Sequence, residues 1–272
     1  MRPRGLALSS LLLAGLVLLG ACKKDNTVNL GAGGTTNGTL PELPDCASEA
    51  GAPPGGGGPS MVPVGRLDGS CFWIDETEVT VAQYAEFLAA APELADQQAA
   101  CSWNDSLEPD ASCTPGGDSD DDPATCVDWC DAFAYCSSVG KTLCRDDRAR
   151  PADAKTSSWY SVCSNGQRTD FPYGNNYQKS VCNGADFAAD ALLRPATAQA
   201  GCASGDGVLN LSGNAAEWVD ACDAASGDAD QCLLRGGSYR SEANALRCET
   251  SASAARSSQR ADVGFRCCAF SD

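Results

Sequence analysis

The chain has 272 residues, with 17 cysteines, no histidine, 19 basic and 36 acidic side chains, and a net charge of −17. Without histidine, a Ser-His-Asp triad, a His-ligated zinc site and a two-His-one-carboxylate iron site are excluded. The negative charge argues against binding to a nucleic-acid backbone, so we expect no nucleic-acid partner.

The first segment of the chain predicts export. Arg2 and Arg4 precede an apolar run over residues 6–19, too short for a typical membrane span and typical of a signal peptide over 1–21. The run ends in Leu-Gly-Ala-Cys at Cys22, which resembles a bacterial lipobox, whose cysteine is lipidated. Secretion with cleavage near Ala21 and an uncleaved anchor are the alternatives. We expect a lipid anchor at Cys22 that attaches the protein to the membrane of the bacterial envelope, at the outer membrane or surface rather than the inner membrane.

If Cys22 carries a lipid, the other sixteen cysteines form an even set. Disulfides persist in exported proteins, and sixteen cysteines allow up to eight, although the sequence does not give the pairing. A metal site at Cys126 and Cys130, or at the adjacent Cys267 and Cys268, is the alternative. We prefer disulfides because the compartment is oxidising and no histidine is present.

Residues 22–60 are rich in glycine and proline and poor in large apolar side chains, which predicts a flexible tether. Cys46 lies within this segment, so we expect a disulfide to fix the tether at one point. Residues 61–272 contain no second linker and no repeat, and they predict a single domain that is long enough to bury a core.

Two helices are predicted within this domain. Thr80 and Gln83 fit a capping box at the start of the first helix, and one face of that helix is apolar. The second helix follows Asp128, and Gly140 is a suitable stop signal. The apolar positions are Tyr84, Phe87 and Leu88 in the first helix, and Trp129, Ala132, Phe133 and Cys136 in the second.

The remaining apolar segments are short and are separated by Gly, Asn, Asp and Ser, which predicts short strands and long loops joined by cystines. Residues 105–122 form a polar loop with an acidic run at 118–122. This run offers oxygen ligands for a cation, but it lacks the glycine and the distal glutamate of an EF-hand loop. We therefore prefer a solvated loop.

Six segments resemble, in family order, the signatures of the formylglycine-generating enzyme, or sulfatase-modifying factor, family. They are residues 72–87, 123–143, 171–175 (Phe-Pro-Tyr-Gly-Asn), 209–218 (ending Gly-Asn-Ala-Ala-Glu-Trp), 234–239 (Leu-Arg-Gly-Gly-Ser-Tyr) and 264–267 (Gly-Phe-Arg-Cys). Together they span essentially all of 61–272. The resemblance implies an α+β, irregular and disulfide-rich fold, distantly like a C-type lectin, with little regular secondary structure.

The resemblance implies an activity whose metal ligands are incomplete here. Family members oxidise a cysteine in a Cys-x-Pro-x-Arg segment of sulfatases to formylglycine with oxygen and copper(I), which two cysteines bind. Ser241 stands at the first of these positions, and the second has no counterpart. Cys248 aligns with a later position and is only a weak alternative. Because copper(I) requires soft ligands, we do not expect copper, and the iron-dependent branch is excluded because it needs histidine.

The family resemblance also implies a calcium site. Position by position, the family's calcium ligands fall on Asn210, Gly213, Ala215 and Glu217, and calcium prefers such hard oxygen ligands. The alternative is that Asn210 and Glu217 only cap and hydrogen-bond this loop. A second family site would begin at Asn183, but its later aspartate has no match.

Two further motif residues have structural roles by resemblance. Trp218 is expected in the core, and Arg266 as an internal ion-pair partner.

These observations favour a non-catalytic domain that binds a peptide, protein or glycan ligand on the cell envelope, with a groove lined by residues 238–246. The first alternative is a formylglycine-generating oxidase with displaced cysteines, one of them Cys248. The second is a purely structural component of the envelope. An enzyme should have two unpaired thiols, whereas a binding module should have none.

Overall fold

The computed structural model describes residues 40–46, 53–94, 97–114 and 116–270. The predicted signal peptide and the lipobox cysteine Cys22 lie outside these ranges. Residues from Leu40 onward form one compact unit. Within the described ranges, no helix has the length and apolar character needed to cross a membrane.

The first helix, α1 (Val81–Ala89), begins as predicted. The Thr80 hydroxyl accepts a hydrogen bond from the Gln83 backbone N–H at 3.3 Å, and the Gln83 side chain accepts one from the Thr80 N–H at 2.9 Å. Tyr84 and Phe87 point into the core. The capping box and the apolar face are therefore both confirmed.

The second helix, α2 (Trp129–Ser138), also has a capping box, formed by Asp128 and Asp131. Gly140 follows the helix with a φ of 73°, a left-handed conformation that glycine adopts without steric cost. The sequence did not predict a short third helix, α3 (Ser158–Cys163), nor a 3₁₀ turn at Ala99–Cys101.

Eight short strands form two four-stranded sheets in the described residues. The first sheet has the order β1-β2-β8-β3 and is antiparallel, and the second has the order β6-β5-β4-β7, with β4 and β7 parallel. The strands are β1 (Met61–Gly65), β2 (Cys71–Asp75), β3 (Thr142–Leu143), β4 (Ala216–Cys222), β5 (Gln231–Arg235), β6 (Ser251–Ala255), β7 (Val263–Phe265) and β8 (Cys267–Phe270). The strands are short and the loops long, as predicted.

A single residue, Arg266, separates β7 of the second sheet from β8 of the first. One apolar cluster lies around α1, α2, β4 and β7, and a second lies around β1, β2 and α3. Trp218 is fully buried in the first cluster, as expected. The position of Arg266 thus places one long cationic side chain where the two sheets meet.

All sixteen cysteines from Cys46 to Cys268 are joined in disulfides, which confirms the disulfide interpretation. The pairs are 46–71, 101–130, 113–126, 136–267, 144–268, 163–248, 182–202 and 222–232. The adjacent Cys267 and Cys268 bond to different partners, one in α2 and one just after β3. Each of the four cysteines in the two candidate metal sites is therefore bonded to a cysteine elsewhere in the chain.

Part of the predicted tether contacts the domain. Cys46 is bonded to Cys71 at the start of β2, so the expected fixed point is present. Further along, the Lys141 ammonium donates to the Pro59 carbonyl at 3.0 Å and forms a buried ion pair with Asp75 at 2.6 Å. The described end of the tether is therefore held by both a disulfide and a charged hydrogen bond.

Candidate functional site

The turn before β4 places the predicted calcium residues. Asn210, Gly213 and Asn214 all have left-handed backbone, with φ of 57°, 80° and 60°. A Cβ at Gly213 would collide with the Asn183 carbonyl, so only glycine fits there. This sharp turn directs Asn210 and Glu217 into the protein interior, where both are essentially inaccessible to solvent.

Glu217 is held by donors from two other segments. Its Oε2 accepts hydrogen bonds from Trp159 Nε1 at 2.7 Å and from Arg266 Nε at 2.8 Å, and its Oε1 accepts one from Arg266 Nη2 at 2.8 Å. The expected role of Arg266 as an internal ion-pair partner is confirmed. A carboxylate can accept about four hydrogen bonds, so Glu217 retains room for one further partner.

A second buried carboxylate, Glu78, lies in the same cluster. It accepts hydrogen bonds from Asn210 Nδ2 at 3.0 Å and from Asn214 Nδ2 at 2.9 Å. Burial raises the pKa of Glu78, and the nearby Glu217 charge raises it further, while Arg266 opposes the shift. Sequence reasoning assigned no role to Glu78. The missed signal was an acidic residue directly before the apolar Val79, in the stretch between β2 and α1.

The Asn210 side chain has one unsatisfied atom. Its Nδ2 donates to Glu78 and to the Ala196 carbonyl at 2.7 Å, whereas its buried Oδ1 has no hydrogen-bond partner among the described residues. Buried polar atoms are normally paired, so an unpaired oxygen is a suitable position for a cation or a water molecule. The predicted calcium ligands thus offer one unused amide oxygen and one partly used carboxylate.

Asn183, the start of the second family calcium site, is engaged in the same network. Its side-chain Nδ2 donates to Asn214 Oδ1 at 3.0 Å and to the Leu192 carbonyl at 2.9 Å. The backbone carbonyl of Asn183 accepts from the Asn214 N–H at 2.7 Å. The structure therefore uses this residue to link the 183–192 loop to the turn before β4.

Ser241 is part of a tight turn. Its Oγ accepts a hydrogen bond from the Ser238 N–H at 2.9 Å, and its own N–H donates to the Ser238 carbonyl at 2.8 Å. Its carbonyl accepts from the Ala185 N–H at 2.9 Å. The residue at the first copper position is thus engaged in closing its own loop.

Cys248 is buried and bonded to Cys163 in α3. Cys248, the weak alternative as a copper ligand, could bind copper only if this disulfide were reduced. In addition, Tyr239 and Leu246 of the 238–246 loop are buried, and Gly116 lies directly over the Tyr239 hydroxyl. Tyr239 and Leu246 therefore face the protein interior and not the solvent.

Two cavities lie away from this loop. One, of about 300 Å³, is between α1, the 3₁₀ turn and α2. The other, of about 410 Å³, is lined by the 103–111 loop together with Asp128, Ser257 and Gln259. Neither includes a residue of the predicted calcium set.

Comparison with known proteins identifies the family. The model of the sulfatase-modifying factor enzyme 1-like domain matches residues 21–269. The chain belongs to this family. It is also 28% identical over 175 residues to the formylglycine-generating enzyme of Bos taurus, a match that covers 55% of this chain and 44% of that protein. The match therefore spans less than half the length of that relative.

Solved structures resemble the chain closely enough to establish its fold. CarF matches with a TM-score of 0.53 at 18% identity, covering 74% of this chain and 87% of CarF. PvdO from Pseudomonas aeruginosa matches with a TM-score of 0.53 at 19% identity, covering 74% of this chain and 81% of PvdO. Treponema denticola variable protein 1 matches with a TM-score of 0.51 at 17% identity, covering 74% of this chain and 85% of that protein. The predicted irregular, disulfide-rich α+β fold is confirmed.

Proposed function

We propose that the protein is a binding module of the sulfatase-modifying factor family, held on the cell envelope by a lipid at Cys22, that does not generate formylglycine. The observation that carries the non-catalytic part of this proposal is that the cysteines are paired. Copper(I) needs soft thiolate ligands, and every cysteine from Cys46 to Cys268 is in a disulfide. Ser241, at the first copper position, supplies only a hydroxyl that its own turn already uses.

A free-thiol count tests this proposal. The full-length protein is purified from an oxidising compartment, denatured without reductant, alkylated and weighed, with a reduced sample as the control. We expect no label on Cys46 to Cys268. Two labels on mapped cysteines would support the oxidase alternative instead.

A direct activity assay complements the thiol count. A Cys-x-Pro-x-Arg peptide is incubated with the protein, oxygen and copper(I), and its mass is followed at the cysteine. The bovine relative serves as the positive control. We expect no conversion, because a thiolate pair is needed to hold copper(I). Conversion at a rate near that of the control would overturn the proposal.

The lipid anchor is a separate part of the proposal. It rests on the lipobox-like sequence before Cys22 and on the disulfide-rich fold, which is typical of exported proteins. Cells fed a labelled fatty acid should incorporate it into the wild-type protein and not into Cys22→Ser. Equal labelling of the two proteins would contradict a lipid at Cys22.

Calcium is a second candidate ligand, at Asn210, Gly213, Ala215 and Glu217. The unpaired Asn210 Oδ1 favours it, because calcium binds amide and carboxylate oxygens. A ligand that binds only the folded state raises the thermal midpoint. We expect CaCl₂ to raise the midpoint of the chelator-treated protein more than equimolar MgCl₂ does. An identical midpoint in the two salts would contradict a calcium site.

A further inference from the structure

The cavity between α1 and α2 has the size and lining of a small ligand site. Its volume of about 300 Å³ is at the lower end of the range of about 300–1,000 Å³ found for ligand pockets. Phe87, Leu107 and the buried Cys101–Cys130 disulfide form its apolar inner surface, and Phe133 and Ala134 of α2 extend it outward. A single aromatic or branched aliphatic group fits such a space.

One polar atom in this lining lacks a partner. Gln98 Nε2 is buried and has no hydrogen-bond partner among the described residues. The neighbouring Gln97 differs, because its amide donates to the Asn104 carbonyl at 3.0 Å and accepts from Asn104 Nδ2 at 3.1 Å. An unpaired buried donor is unfavourable unless an acceptor reaches it. Gln98 also lines the cavity, so rotation of its amide would bring this unpaired donor to an oxygen acceptor of a ligand.

The charge at the cavity favours a cation. Glu93 is exposed and is the sole charged side chain among the described residues that line the cavity. The protein as a whole carries a charge of −17, which attracts cations and repels anions over its surface. A negatively charged ligand is thus disfavoured at both short and long range.

We propose that this cavity binds a protonated amine that is attached to an apolar side chain and lies next to a carbonyl oxygen. Glu93 binds the ammonium group, and Gln98 Nε2 donates to the carbonyl oxygen once its amide turns toward the cavity. The apolar side chain of the ligand occupies the space between α1 and α2. An amino-acid amide and the amino-terminal residue of a peptide both have this chemistry. The inference rests on the proposed binding function and gives it a ligand class.

Two matched probes test the requirement for a cation. The full-length protein is titrated by calorimetry with phenylalaninamide and with N-acetylphenylalaninamide, which keeps the ring and the carbonyl but loses the charge. Loss of one exposed ion pair weakens binding up to about 5-fold. We expect phenylalaninamide to bind and its acetylated form to bind at least about 2-fold more weakly. Equal affinity, or no binding of phenylalaninamide, would overturn the inference.

A third probe, Phe-Gly-Gly-amide, distinguishes the two sources of this chemistry. Tighter binding of the peptide than of phenylalaninamide supports a peptide amino terminus as the ligand. Equal affinity supports a small free amine. Both results agree with the proposed chemistry and assign its source.

Variants locate the binding to this cavity. Ala134→Trp should fill the cavity and abolish phenylalaninamide binding, and Glu93→Gln should weaken it about 2- to 5-fold. Glu86→Gln is the matched control, because Glu86 is exposed on α1 and does not line the cavity. Glu93 is also exposed, so its substitution leaves the fold intact even if Ala134→Trp does not. Equal affinity of Glu93→Gln and the wild-type protein would place the amine elsewhere and overturn the inference.

This test is separable from the test of the proposed function. If phenylalaninamide does not bind and the Cys-x-Pro-x-Arg peptide is not converted, the cavity inference fails and the non-catalytic proposal stands. If that peptide is converted, the non-catalytic proposal fails, whatever the cavity binds.

Discussion

Arg266 shows how a single residue stabilises the region where the two sheets meet. Its guanidinium donates to both oxygens of Glu217 and to the carbonyls of Asp75 and Leu209, at 2.7–3.0 Å. These partners come from β4, from the end of β2 and from the loop before the Gly213 turn. The ion pair is fully buried, so each charge depends on the other for its stability.

We expect Arg266→Met to lower the free energy of unfolding by about 3–5 kcal/mol, because it leaves the Glu217 charge buried without its partner. Urea denaturation with disulfides intact measures this change. Arg194→Met is the matched control, because Arg194 pairs with Asp190 at the surface, where the Asp190 side chain is 47% exposed. The control should cost less than about 1 kcal/mol. Similar losses for the two variants would contradict the central role of Arg266.

At the scale of an element, the start of α1 depends on two reciprocal hydrogen bonds between Thr80 and Gln83. We expect Thr80→Ala to lower the free energy of unfolding by about 1 kcal/mol, because it leaves the Gln83 N–H without its acceptor. Thr80→Ser keeps the hydroxyl and should remain within about 0.5 kcal/mol of the wild-type protein. Urea denaturation of both variants measures this, and equal losses would show that the cap does not matter.

The elements also show why the sequence predicted some features and not others. The two longer helices were predictable because a capping box and an apolar face are local signals that lie within one turn or two. The sheet order was not predictable, since β8 pairs with β2 nearly 200 residues earlier. Nor was the pairing of sixteen cysteines, because it depends on which loops meet in space.

The residues of the candidate site were likewise predictable only in part from the sequence. Family motifs predicted Asn210, Glu217 and Arg266, and the structure brings all three into one buried cluster with Glu78. Glu78 was missed because its hydrogen-bond partners lie more than 130 residues away. The cavity beside Gln98 was also missed, because its walls come from three separate elements and no single segment encodes its shape.

At the scale of the whole molecule, disulfides that close long loops should contribute most to stability. The Cys163–Cys248 bond closes a loop of about 40 residues through the neighbouring Cys144–Cys268 bond, whereas the Cys222–Cys232 bond closes a loop of only 10. In the chain-entropy model, the roughly fourfold longer loop gives about 1 kcal/mol more stabilisation. We expect the Cys163→Ala/Cys248→Ala variant to lose about that much more stability in urea than Cys222→Ala/Cys232→Ala. Equal losses would mean that strain or residual structure outweighs loop length.

The buried carboxylates give the whole molecule an unusual dependence on pH. Burial raises the pKa of Asp75 to about 6 despite its ion pair with Lys141. Burial also raises the pKa values of Asp128 and Asp131, and the Asp131 charge adds to the shift of Asp128. The folded protein therefore keeps protons that the unfolded chain releases between about pH 4 and pH 7. Because the folded state binds more protons in this range, its free energy of unfolding must fall as pH rises.

We expect the urea midpoint, measured with a chelator present, to be higher at pH 5 than at pH 8. Asp128→Asn should reduce this difference, because asparagine caps a helix as well as aspartate does and removes a charge beside Asp131. Asp120→Asn changes the net charge equally at an exposed position and should leave the difference unchanged. A midpoint that rises from pH 5 to pH 8 would mean that favourable ion pairs, and not the burial of these carboxylates, dominate the stability of the fold.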